Sequence, residues 1–112
     1  MRESKESHNA RMKALAYLRA GGIATAMRDL CAKVPAAADV EVDIRYMQNR
    51  AAVVLWKPTG KGKRFFLSIL FHCDGTFTMR RVNGACRDKF ASNSFPSCEK
   101  RSEEAVLALG VP

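Results

Sequence analysis

Arg64-Phe65-Phe66-Leu67-Ser68-Ile69-Leu70-Phe71-His72-Cys73, followed by Asp74-Gly75 and by Thr76 to Val82, is the stretch that decides the fold. The run from Arg64 to Cys73 is short for a helix and apolar at both odd and even positions, so it reads as a strand inside a sheet, central and covered on both sides. Asp-Gly between two such runs is a strong hairpin signal, because both residues tolerate the positive φ of a tight turn. Thr76 to Val82 therefore returns beside the first run as an antiparallel partner.

Working backward, Thr59-Gly60-Lys61-Gly62 supplies a second turn, and Ala52 to Trp56 reads as a strand closed by Pro58. Gln48-Asn49-Arg50 supplies a third turn. Before it, Val40, Val42, Ile44 and Tyr46 alternate with Glu41, Asp43 and Arg45, the pattern of a strand with one wet face. Four strands in sequence order make an antiparallel meander.

The N-terminal third is helical in composition. Ser4, Ser7 and Asn9 can each cap a helix start, and Ala10 to Arg19 is rich in strong helix formers. Gly21-Gly22 reads as a stop, after which Ile23, Met27, Leu30, Cys31 and Val34 mark one face of a second helix ended by Pro35. An αα-hairpin and a sharply bent single helix both satisfy this pattern. The second helix offers only Thr25, Arg28, Asp29 and Lys33 as polar readers, which disfavours a helix-turn-helix recognition element.

Beyond Asn83-Gly84 the chain to Lys100 has no clean period and is expected to form a long surface loop, bracketed by Cys86 and Cys98. Ser102 then caps a short last helix, with Glu103 and Glu104 in its first turn and Gly110 and Pro112 at its end. The expected class is thus α+β over residues 1–112 as a single domain: two N-terminal helices, a four-stranded antiparallel meander and a short C-terminal helix. This order is superficially similar to that of double-stranded-RNA-binding domains, and Lys100-Arg101 stands where their basic cluster lies. The extra strand, the Gly-Gly joint and the cysteine-bracketed loop depart from that pattern, and no family is assigned.

Composition bounds the function. The chain has 112 residues, 47% hydrophobic and 27% charged, enough apolar surface to build a core without metal or disulfide staples. Met1 to Asn9 is polar and Phe65 to Phe71 is far too short to span a bilayer, so neither an export signal nor a membrane segment is expected and a cytoplasmic setting is the default. The four cysteines fit no zinc spacing, and in a reducing compartment a Cys86–Cys98 bridge is disfavoured. No metal or cofactor is expected.

Nineteen Lys and Arg face eleven Asp and Glu, a formal net charge of +8, and residues 57–90 alone hold eight basic against two acidic groups. Such a field favours polyanions, either nucleic acid (DNA or RNA) or an acidic protein surface. In the meander, residue 57 falls near residue 64, Arg80 opposite Ser68 and Arg81 opposite Leu67. Lys57, Lys61, Lys63, Arg64, Arg80 and Arg81 thereby become one candidate cationic surface, with Gly60 and Gly62 leaving backbone amides open to phosphate and Trp56, Phe65 and Phe66 close enough to stack on bases.

A catalytic set is harder to assemble. The 57–64 segment lacks the glycine and hydroxyl of a phosphate-binding P-loop. His72 and Cys73 are adjacent strand residues and point to opposite faces, and Glu41 and Asp43, about 7 Å apart along a strand, read as a solvated face. A redox or hydrolytic role for Cys73, Cys86 or Cys98 is the weakest reading. The sequence therefore points to a non-catalytic module that contacts nucleic acid mainly through phosphates. The alternative is a protein-binding inhibitor or accessory protein of phage or plasmid type, acting on host nucleic-acid machinery. A homodimer through an uncovered face of the third strand stays open.

Overall fold

The computed structural model describes residues 4–83 and 86–110. Its element order is a helix α1 (Lys5–Lys33), a 3-10 turn (Pro35–Ala37), strands β1 (Glu41–Tyr46), β2 (Arg50–Thr59), β3 (Gly62–His72), β4 (Phe77–Asn83) and β5 (Cys86–Ser92), helix α2 (Phe95–Leu107) and a closing 3-10 turn (Ala108–Gly110). The strands form one antiparallel sheet in the order β1-β2-β3-β4-β5, so the α+β class and the meander stand, with one strand more and one helix fewer than expected.

The first correction concerns Gly21-Gly22, which does not break the helix: α1 runs unbroken for 29 residues. Ser4 caps its start by accepting from the Ser7 amide at 3.1 Å, and Val34 before Pro35 closes it. Each glycine costs about 1 kcal/mol against alanine inside a helix. That cost is outweighed by one continuous buried face of Ala16, Ala20, Ile23, Ala24, Met27 and Cys31, which packs on the sheet on both sides of the pair.

The second correction concerns the stretch beyond Asn83-Gly84 to Lys100, expected as loop. Cys86 to Ser92 is a strand paired with β4, from Phe77↔Ser92 to Asn83↔Cys86. The last helix begins at Phe95, not after Ser102, with Ser94 as its cap and Pro96 in its first turn, where a missing N–H costs nothing. Ser102 is buried instead, its hydroxyl donating to the Cys98 carbonyl at 2.8 Å. Gly110 closes the final 3-10 turn; Pro112, expected to end the chain's last helix, lies outside the described residues.

Pro58, expected to end β2, sits within it opposite Lys63. β1 stops at Glu41 opposite Trp56, so β2 runs on past it with one free edge, where a residue lacking N–H is tolerated. At the Asp74-Gly75 turn Gly75 has φ +87°, and Asp74 Oδ1 accepts from the Thr76 amide at 2.9 Å.

Both helices lie on one face of the sheet, α1 over β1 to β3 and α2 over β3 and β4. Alternation then sorts the strands: Ala51, Val53, Leu55, Leu67, Ile69, Phe71, Phe77 and Met79 are buried beneath the helices together with Cys98, Ala105 and Val106. β3 is central, but it is covered on one side only. Ala52, Val54, Trp56, Ser68, Leu70, His72 and Thr78 form the opposite face and are half-buried by their sheet neighbours alone.

Candidate nucleic-acid interface

The register places the basic residues as alternation requires: Lys57↔Arg64 across β2 and β3, Leu67↔Arg81 and Ser68↔Arg80 across β3 and β4. The six side chains nevertheless do not form a single surface.

Lys57 is turned toward the connection after α1. Its ammonium donates to the Ala36 carbonyl at 2.7 Å and to Asp39 Oδ1 at 2.5 Å, tying the 3-10 turn to the sheet. The ammonium holds the Asp39 carboxyl below its ordinary value, mainly by that hydrogen bond. Lys63 lies beside β1, 3.1 Å from Glu41 and 3.8 Å from Asp43. It also sits 5.0 Å from the centre of the Trp56 ring. The charge of both lysines is therefore met by carboxylates from residues 39–43. Lys61 is exposed at the tip of the β2–β3 turn.

The arginines behave differently because β3 and β4 part company. Their ladder ends at Leu67↔Arg81, just where the β2–β3 register slips at Leu55/Trp56 so that Phe66 falls in a bulge. A bulge bends the strand that carries it and increases its local twist, which turns this part of β3 away from β4. From there β3 continues with β2 alone, and β4 with β5 alone. The two hairpins leave between them a half-open cleft of about 440 Å³, lined by Arg64 and Phe65 on one wall and by Arg80, Arg81, Val82, Arg87 and Asp88 on the other.

Four arginines line this cleft with the one carboxylate of Asp88, which lies opposite Arg81 in the β4–β5 ladder; Arg81 and Asp88 also border a neighbouring depression that includes Glu104 of α2. None of the four arginines is in an ion pair among the described residues. Guanidinium forks match phosphate and carboxylate oxygens two at a time, which a lysine cannot do. Phe65 adds an aromatic wall, itself held edge-on to Trp56 with ring centres 6.2 Å apart. Arg80 also faces Lys89 across the ladder, extending the cationic strip onto β5.

Arg87 was outside the expected site because its segment reads as loop. The signal that could have found it is Asn83-Gly84, a hairpin dipeptide placed directly after the strand-like run Thr76 to Val82.

Cys31, Cys98 and His72 are not among the residues that line the cleft. Cys98 is a free thiol buried under α2, and burial pushes its pKa up to about 12. Burial likewise raises Cys31. His72 Nε2 lies 2.9 Å from Thr78 Oγ1 on the uncovered sheet face. Among the described residues no three His, Cys, Asp or Glu side chains converge as a metal site, and no helix is long and apolar enough to cross a membrane. No protein-family model, curated protein or solved structure matches this chain.

Proposed function

We propose that the chain is a small, basic, non-catalytic binding module that contacts nucleic acid, DNA or RNA, chiefly through its phosphates, at the cleft between the β2–β3 and β4–β5 hairpins. The observation that carries this reading is the convergence of Arg64, Arg80, Arg81 and Arg87 on one half-open cleft without carboxylate partners beyond Asp88. Like charges gathered this closely repel each other, and a multivalent anion relieves that repulsion while releasing its own counterions. Phosphate contacts fix position without reading sequence, so the expected binding is strong at low salt and indifferent to base order. Lys61 at the hairpin tip adds reach along a backbone, whereas Lys57 and Lys63 serve the fold.

The test is fluorescence anisotropy of labelled DNA and RNA oligonucleotides titrated with the protein and with the Arg64→Gln, Arg80→Gln, Arg87→Gln triple variant. The variant should bind roughly tenfold or more weakly, since each lost phosphate contact weakens binding regardless of sequence. Equal affinity would remove the cleft from the interface. Capture of an acidic protein that survives nuclease digestion, with no oligonucleotide binding, would assign the same arginines to a protein partner instead.

A further inference from the structure

We infer that α1 pairs antiparallel with the α1 of a second copy of this chain, through the face it turns away from the sheet. Two large apolar side chains beside that face are left in water. Leu18 is 75% exposed and Tyr46, from β1, is 54% exposed. They flank an open groove whose floor is Gly21, Gly22, Thr25 and Ala26, with Asp29 at one end. At Gly22 the space a Cβ would fill is empty to 4 Å. The fold thus gains nothing from this glycine, which still costs its helix about 1 kcal/mol against alanine.

The spacing explains the combination. Arg11, Leu18, Gly22 and Asp29 are separated by seven, four and seven residues. At 3.6 residues per turn they fall within about 40° of one line along the helix. They are exposed, on the side opposite Ala16, Ala20, Ile23, Ala24, Met27 and Cys31. The set is palindromic about the level of residue 20. When a second α1 runs antiparallel with a two-fold axis at that level, Leu18 of each copy lies against Gly22 of the other, a knob over a position with no side chain. Ala14 lies opposite Ala26, and at both ends Arg11 lies opposite Asp29 across about 27 Å of helix. One patch therefore supplies its own apolar knob, its own hole and two complementary charge pairs, which is what an isologous contact requires. Arg11 also lies 3.3 Å from His8 Nδ1, on the same exposed face. A single helix pair is a small interface, so the dimer dissociates readily on dilution.

Sedimentation velocity of the full chain, without nucleic acid, tests this across a micromolar to near-millimolar concentration series. The wild type should shift from the 12.4 kDa monomer to twice that mass. Gly22→Leu should stay monomeric to the top of the series while its melting temperature holds or rises, because leucine favours the helix and the monomer has room for it. Asp29→Arg should also stay monomeric, and the double change Arg11→Asp with Asp29→Arg should restore the dimer. A wild type that is monomeric throughout would overturn the inference, as would a dimer that tolerates Gly22→Leu. The outcome is independent of whether the arginine cleft binds nucleic acid.

Discussion

Leu67 and Arg81 are the last paired residues of the β3–β4 ladder, and the cleft opens immediately beyond them. Leu67 is fully buried, anchoring the point of divergence in the core, while Arg81 is half-buried and lines the cleft. The split between the hairpins is thus fixed by core packing on one side and the Phe66 bulge on the other.

Replacing Lys57 by Met should lower the denaturant midpoint and leave oligonucleotide affinity unchanged, because the ammonium ties the 3-10 turn to β2 and lies away from the cleft. The pH dependence carries the signature. Asp39 has a folded pKa below its ordinary 3.8, so its contribution is present above that value and is lost as pH falls through the lower folded value. Urea melts between pH 2 and 6 should show a shallower acid limb in Lys57→Met than in wild type.

Cys98 should resist alkylation in the native protein at pH 8. Its thiol, raised to about 12 by burial, is almost wholly protonated there, and the side chain is fully buried. Because the folded pKa is raised above 9.0, the stability this site contributes is present below pH 9 and declines as pH rises toward 12. Peptide mass spectrometry after iodoacetamide treatment should find Cys73 modified well before Cys98, with Cys98 modified only on unfolding.

Two glycines in successive hairpin turns should respond unequally to alanine. Gly75 has φ +87° and a Cβ there would lie 3.2 Å from Met12 Cε, so Gly75→Ala should cost about 1–2 kcal/mol. Gly60 lies in open space without a positive φ, so Gly60→Ala should be near neutral, within about 0.5 kcal/mol. Thermal melts monitored by circular dichroism would show the difference directly.

Much of this fold was legible because its signals are local. Asp74-Gly75 placed the β3–β4 turn and set Arg80 and Arg81 opposite Ser68 and Leu67. The misreadings arose where tertiary packing overrode local preference. Gly21-Gly22 is a helix stop by propensity, yet the buried residues on either side continue one face across it. Ser102 looks like a cap, but inside α2 its hydroxyl bonds back to Cys98 and no helix starts there. In the site, alternation could place cations on a strand but not reveal which would find carboxylates. Asp39, Glu41 and Asp43 reach Lys57 and Lys63 only because β1 pairs with β2 as an outer strand. The cleft itself depends on a one-residue slip at Leu55/Trp56, which no residue pattern announces.

Arginines at the divergence of the two hairpins that neutralise phosphates should leave their mark on the salt dependence of binding. The slope of log affinity against log salt falls by about 0.9 for each phosphate contact on duplex DNA. The combined Arg64→Gln, Arg80→Gln, Arg87→Gln change should flatten the wild-type slope by about 2 to 3, while Lys57→Gln should leave it unchanged. A wild-type slope near zero, or one that the triple change does not alter, would contradict that role.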